Sequence, residues 1–282
     1  MIRLLKATFP VLYFKLMGIR RYMKCFGRLP NLIYPSRFTD KLLVARLRYN
    51  GKDDFLSMTA DKWAVRDYVK LRVGGGHLSE VQMATENMSS VDFDDLIYPV
   101  VLKSTHGTAH VEILWSRQSF DEDRVRRLCE GWLLERFPLW YSQIPPRIMF
   151  EEFLSVDDGS RSIPYNYNFF VFSGTVRFIV VDIDRFEDHR RSLFTRDWAH
   201  LDVTYKYPKG PKLLPPKNLE IMVQMAEKLS DEREFIRIDL YDLGTRVVFG
   251  EVTHSPDASC VILDPDEFDF EVGQMWEDGR NE

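Results

Sequence analysis

Apolar side chains recur at helical spacing over residues 59–69, where Trp63, Val65, Tyr68 and Val69 supply one side and Gly74, Gly75 and Gly76 mark a stop. This pattern predicts a helix that begins at Thr59 and carries Lys62 in its first turn. A second helical repeat, Val125, Leu128, Cys129, Trp132 and Leu133, follows Ser119 and Glu122 at the spacing of a capping box. A third, Leu219, Met222, Val223, Ala226 and Leu229, follows Asn218, a residue type that caps helices. Elsewhere the pattern is that of strands. Residues 99–105 and 110–115 read as a hairpin around a small, hydroxyl-rich loop, and 147–154 as a strand ending in a polar loop. Two more hairpins are expected, 169–172 with 176–181 across Ser173-Gly174, and 235–241 with 247–253 across Leu243-Gly244. The sum is an α+β protein in which antiparallel hairpins carry the polar residues and helices cover them.

Composition narrows the class. The 282 residues are 45% hydrophobic, 29% charged and 13% aromatic, which is a folded chain rather than a disordered one. Lys15 and Arg177 interrupt the longest apolar stretches, so none reaches the roughly 18 residues of a membrane span. Residues 1–9 lack the apolar core of a secretory signal. Cys25, Cys129 and Cys260 are too few and too scattered for a disulfide framework or a thiolate zinc cluster, so a reducing cytoplasm is expected. Charge is uneven: residues 1–50 hold eleven Lys/Arg and one acid, net +10, against net −15 for the remainder. The basic segment either docks on anionic lipid headgroups or polyanionic glycans, or packs as a basic helix on an acidic body.

A charge inside an apolar strand is costly unless it is paired, solvated or bound to something. Lys103, Asp239 and Glu251 have that placement. Lys103 leads into the loop Thr105, His106, Gly107, Thr108 and Ala109, whose backbone amides and the ammonium suit an anion such as phosphate; alternatively the lysine snorkels from a sheet edge. Asp239 and Glu251 lie on the two strands of the last hairpin. If odd-numbered positions face one another, they share a face with Arg237 and Phe249. Two facing carboxylates suit a magnesium ion held jointly with nucleotide phosphates, or else Arg237 neutralises both. Arg185, His189, Arg190 and Arg191 form a cationic run at a strand exit, read as a grip for carboxylates or phosphates or as a solvated loop. Zinc has no support from His106 and His110, and no G-x-S-x-G, H-E-x-x-H or P-loop motif is present.

The blocks beginning at Asp61 (DKWAVRDYV), Val101 (VLKSTHG), Pro146 (PRIMFEEFL), Asp182 (DIDRFEDHRR), Ile236 (IRIDLY) and Phe249 (FGEVT) occur in order. Together, over about residues 36–265, they resemble the TupA-like, teichuronopeptide-synthesis branch of the ATP-grasp proteins. The resemblance implies an ATP-grasp fold whose two lobes, each on an antiparallel sheet, sandwich the nucleotide. The expected division is a basic helical segment 1–58, a small lobe 59–150 with the phosphate-binding loop, and a large lobe 151–282 with the metal-binding hairpin. By the same resemblance Lys62, Lys103 and residues 105–108 hold the ATP phosphates, Glu151, Glu152 and Leu154 border the adenine, and Asp239, Glu251 and Thr253 hold Mg2+. Arg237 stands beside the transferred phosphate as a catalytic group with Lys103, and Arg185, His189 and Arg191 hold the acidic substrate. The chain departs from the family at Asn166-Tyr167-Asn168, where an Asp-Tyr-Lys element is usual.

The implied function is an ATP-dependent carboxylate–amine ligase that forms an amide through an acyl phosphate and releases ADP. Its acid is a sugar or peptide of a surface polysaccharide, or a specialised metabolite. ATP and Mg2+ are the cofactors, a small-molecule or glycan carboxylate and an amine the partners, with no nucleic acid. The expected place is the cytoplasm, including the inner face of the membrane. Two rivals remain: a glycosyltransferase of polysaccharide assembly, weakened because Asp182-Ile183-Asp184 fits a D-x-D pattern but lies at a strand end inside one of these blocks rather than in a suitable loop, and a nucleotide-binding scaffold without catalysis.

Overall fold

A computed structural model of the protein describes residues 10–51, 53–156, 163–185 and 187–278. Its helices in chain order are α1 (Pro10–Phe26), α2 (Phe38–Arg48), α3 (Asp54–Ala60), α4 (Val65–Val73), α5 (Glu122–Leu134), α6 (Leu219–Leu229) and α7 (Glu267–Asp278). The strands are β1 (Val81–Thr85), β2 (Val100–Ser104), β3 (Val111–Leu114), β4 (Ile148–Glu152), β5 (Asn166–Phe172) and β6 (Thr175–Ile183). They continue with β7 (Arg190–Thr195), β8 (His200–Leu201), β9 (Thr204–Tyr205), β10 (Ile236–Asp242), β11 (Val247–Thr253) and β12 (Leu263–Asp264). The chain divides into two units, Asp53–Pro164 and a discontinuous one made of Met1–Lys52 with Tyr165–Glu282. The expected boundaries at 58/59 and 150/151 therefore shift. β4 is central to the sheet of the first unit and carries residues 151 and 152 with it, and the basic segment is part of the second unit rather than a domain of its own.

Unit Asp53–Pro164 is built on an antiparallel sheet of order β1-β4-β2-β3. Alternate residues of its strands, Val100, Leu102, Ile148 and Phe150, meet Val125, Cys129 and Trp132 of α5 in one core. Two local expectations are corrected. The cap of α5 is Asp121, which accepts from Arg124 N at 3.0 Å, while Ser119 Oγ is occupied with the backbone of Ser116. No single helix runs from Thr59: α3 ends at Ala60, and the Asp61 carboxylate accepts from Trp63 N at 2.9 Å, an Asx-type bond that competes with helix continuation. Lys62 thus sits in the turn between α3 and α4.

The discontinuous unit carries a six-stranded antiparallel sheet of order β11-β10-β5-β6-β7-β8 and a small pair, β12-β9. One face of the large sheet changes character along the strands. At one end Phe170, Phe172 and Phe178 pack with Phe38 of α2 and Phe268, Val272 and Trp276 of α7. Towards the other end the same face carries Asn168, Asn166, Asp182, Arg191 and Asp239. α2 and α7 are bound closely: Thr39 N donates to Asp269 Oδ1 at 3.0 Å and Lys41 Nζ to Gly273 O at 2.7 Å. A Cβ at Gly273 would stand 2.0 Å from Ser36 O, so only glycine permits this approach.

Three further differences appear. A bulge between Asp239 and Leu240 pairs Phe249 with Leu240, which removes Phe249 from the face shared by Asp239 and Glu251. Asn218 sits at the start of α6, but its amide donates to Asp242 Oδ1 at 2.7 Å and to Gly244 O at 3.2 Å instead of the side chain capping the helix. Cys25 and Cys260 are joined in a disulfide across 235 residues, leaving Cys129 as the free, buried thiol, where scattered cysteines in a reducing compartment were expected.

Candidate functional site

In unit Asp53–Pro164 the functional candidates converge around the end of β2. The register pairs Lys103 with Met149 and Val101 with Glu151, and the long lysine side chain reaches along the sheet to an ion pair with Glu151 Oε1. Glu151 is buried, and its other oxygen accepts from Ser79 Oγ at 2.8 Å, so both oxygens are committed and the ammonium is fixed in place. Lys62 is brought to the same loop. Its backbone N–H donates to Thr105 O at 3.2 Å and its Nζ to Gly107 O at 2.6 Å. Thr105, His106 and Gly107 are buried and only Thr108 and Ala109 are exposed, so the loop presents two lysines and a short free tip. Its buried half is anchored by Thr105 N to Arg147 O at 2.9 Å and by His106 Nε2 to Trp132 O at 3.0 Å. Burial pushes the His106 imidazole below the usual histidine value, which keeps it neutral at pH 7. Gly107 has no room for a side chain: a Cβ would lie 2.5 Å from the Phe137 ring. Glu152 ends β4 and accepts from Glu80 N at 2.9 Å, and Leu154 follows it, half-buried.

In the discontinuous unit, Asp239 of β10 lies directly opposite Glu251 of β11, and Arg237 opposite Thr253. The expected pair of facing carboxylates is present, and so is the guanidinium between them. Arg237 holds Asp239 as a fork, Nε to Oδ1 at 2.7 Å and Nη2 to Oδ2 at 2.6 Å, and reaches Glu251 Oε1 at 3.3 Å. Thr253 Oγ1 is 3.5 Å from the same Glu251 oxygen. Burial pushes the Asp239 carboxyl upward, with Glu251 adding to the rise and the guanidinium offsetting only part of it. Burial also opposes the charge on Arg237, but the two carboxylates outweigh it and raise its pKa. Two carboxylates and a hydroxyl form a hard-oxygen donor set that fits a magnesium ion sharing its remaining positions with phosphate and water. Among the described residues no group of three or more His, Cys, Asp or Glu side chains is placed to hold a metal without such help.

The polar row continues across the sheet. Asn168, opposite Asp239, donates to Asp182 Oδ2 at 3.0 Å. Asp182 Oδ1 accepts from His189 Nε2 at 2.8 Å and from Arg191 Nε at 2.6 Å. Burial alone would raise the Asp182 carboxyl, but Arg191, His189 and Asn168 hold it down at about 2. The Arg191 guanidinium lies 4.2 Å above the Tyr205 ring and 4.8 Å from that of Tyr207, and its buried Nη1 has no hydrogen-bond partner. The His189 ring lies tilted against that of Tyr207, with ring centres 3.7 Å apart and planes at 32°. The cationic run is therefore split: His189 and Arg191 join one network, whereas Arg185 is exposed and Arg190 pairs with Asp188 at 2.8 Å. Asp184 is exposed with a positive φ, while Asp182 is buried in the network.

The sequence profile of the TupA-like ATP-grasp family matches residues 41–277. The chain belongs to that family. This TupA-like ATP-grasp chain has no match among curated proteins. Solved structures with a similar course include D-alanine–D-alanine ligase from Bacillus anthracis complexed with ATP (15% identity, 71% of this chain and 56% of that one, TM-score 0.42). They include the ATP-grasp ligase PsnB complexed with a phosphomimetic variant of its minimal precursor, Mg and ADP (12%, 85% and 66%, TM-score 0.47). N5-carboxyaminoimidazole synthase from Aspergillus clavatus, with ADP and its ribonucleotide, follows (10%, 70% and 44%, TM-score 0.42). The TupA-like chain thus spans about half to two thirds of the length of these neighbours.

Sequence reasoning missed Asp182 and Asn168 as members of the polar row of this TupA-like protein, and Ser79 as the second partner of Glu151. Asp182 had a readable signal. It interrupts the apolar strand from Phe178 just as Lys103 interrupts its own.

Proposed function

We propose that the chain is an ATP-dependent carboxylate–amine ligase. The observation that carries the reading is the pairing of buried Asp239 with part-exposed Glu251, Arg237 between their carboxylates, on facing strands of an ATP-grasp family member. Lys62, Lys103 and residues 105–108 bind the ATP phosphates, Glu151 holding Lys103 in position. Glu151, Glu152 and Leu154 border the adenine. Asp239, Glu251 and Thr253 hold Mg2+, which when bound neutralises phosphate charge. The substrate carboxylate attacks the γ-phosphorus. The new C–O–P bond forms as the bond to the β-phosphate oxygen breaks and ADP leaves. Arg237 faces the charge that develops on the transferred group, where preorganised cations are most effective. An amine then attacks the acyl carbon, phosphate leaves, and the nitrogen loses a proton to give the amide.

His189 and Arg191, with the unpartnered Nη1, hold the acidic substrate, and Arg185 adds charge at the strand exit. This chemistry suits a uronic acid or acidic peptide of a surface polysaccharide, or a carboxylated metabolite. The test is a matrix of carboxylates and amines scored for ADP and for the mass of a condensed product. ADP with a product mass equal to acid plus amine minus water supports the assignment, and AMP as the sole nucleotide product overturns it. A second reading, a non-catalytic nucleotide-binding protein, is favoured by the internal partners of Lys62, Lys103 and Asp239. It expects ATP binding by calorimetry with no ADP in any combination.

A further inference from the structure

The basic segment divides into two parts with different environments. At and within α2 charges are engaged by the fold: Lys41 pairs with Glu277 at 2.6 Å, and Arg37, just before the helix, pairs with Asp266. In α1 Arg21 reaches Asp257 O at 3.4 Å, while Arg20 and Lys24 are exposed. Gly18 and Tyr22 of α1 turn inward, towards Leu43 and the Asp40 carboxylate. On the outward side Leu12, Leu16 and Met23 are 48%, 49% and 43% exposed. At 3.6 residues per turn Arg20 and Lys24 emerge between and beside them, and neither has an ion-pair partner among the described residues. One side of α1 is covered, and its open side mixes apolar with basic residues.

A second apolar display follows. Asn31 Oδ1 accepts from Ile33 N at 3.3 Å and Tyr34 N at 3.0 Å, and its amide donates to Tyr34 O at 2.7 Å. This turn presents Ile33 and Tyr34 at 80% and 81% exposure.

We propose that the outer face of α1, with the Asn31 turn, docks on an anionic lipid surface. The proposal rests on this segment alone and is independent of the ligase reading. Leucine and methionine enter the headgroup–acyl boundary while Arg20 and Lys24 reach lipid phosphates from the same side, the division of labour of an interfacial helix. A two-fold contact with a second copy through this face would bring two pairs of like charges, Arg20 and Lys24 of each copy, into one seam. A polyanionic glycan would use the charges and leave the leucines in water. Among the described residues no helix is long and apolar enough to cross a membrane.

The test is co-sedimentation of the full chain with vesicles of phosphatidylcholine, alone or with a third of the lipid replaced by phosphatidylglycerol, at low and high salt. Binding is expected on the anionic vesicles, falling steeply with salt. Arg20→Gln with Lys24→Gln should weaken it by about thirtyfold, two surface charges' worth. Leu12→Glu with Leu16→Glu should abolish it with the melting temperature unchanged. Absence of binding to anionic vesicles at low salt overturns the proposal, as does wild-type binding by the leucine variant. A concentration-dependent dimer that the leucine variant abolishes also overturns it, since a second copy then covers the face.

Discussion

Replacing Asp182 by Asn tests the polar row at its most buried point. The carboxylate is 4% exposed, accepts from Arg191, His189 and Asn168, and is held at about 2 against a usual value of 3.8. A depressed carboxylate stabilises the fold in full above its unfolded pKa and loses that contribution as pH falls through the folded one. The shift corresponds to about 2.4 kcal/mol, and leaving the Arg191 guanidinium buried without a counter-charge carries the loss to about 4 kcal/mol. Urea unfolding followed by circular dichroism at pH 7, 5 and 3 should show a destabilisation of about 2 to 4 kcal/mol at the two higher pH values. At pH 3 the linkage part of the gap should shrink to roughly half, because the wild-type advantage is then partly titrated away. In thermal melts the same loss at pH 7 reads as roughly 5–15 °C. A variant within about 0.5 kcal/mol of wild type, or a gap of constant size down to pH 3, would refute the charge-based account of this network.

Other consequences are more direct. Glu251→Gln removes a ligand charge at constant volume from a side chain that is 41% exposed, so Mg2+-dependent ADP formation should fall by about a hundredfold with the far-ultraviolet spectrum unchanged. Gly107→Ala forces a Cβ against Phe137 and should cost about 1–3 kcal/mol of stability, with a Phe137→Leu second change recovering part of it in the same urea assay. Titration of the denatured, unreduced chain with a thiol reagent should find one thiol, that of Cys129, and three after reduction.

The antiparallel hairpins were legible because alternation and turn residues are local signals: β2–β3, β5–β6 and β10–β11 lie where the pattern placed them. The facing of Asp239 and Glu251 followed from the same alternation. It held up to the bulge, where one additional residue moved Phe249. What escaped was set by distance in sequence or by competition between neighbouring polar groups. The bond between Cys25 and Cys260 and the union of α2 with α7 join segments more than 200 residues apart, which no window of periodicity reports. The break at Asp61 and the capping of α5 by Asp121 turn on which of several adjacent polar side chains captures a given amide. The network around Asp182 needed three strands in register before His189 and Arg191 had an address.

The discontinuity of the larger unit has a consequence for the order of assembly. Unit Asp53–Pro164 is one continuous stretch, so its core can close as soon as that stretch has left the ribosome. α2 is made earlier, yet the surface it packs on includes α7, the last described element to be synthesised, and glycine at 273 leaves no slack in that junction. Phe38, Leu42 and their neighbours therefore wait through roughly 130 residues for their first partners on β5 and through more than 200 for α7 to complete the cover, which makes the early helices the natural place for a chaperone to hold the nascent chain.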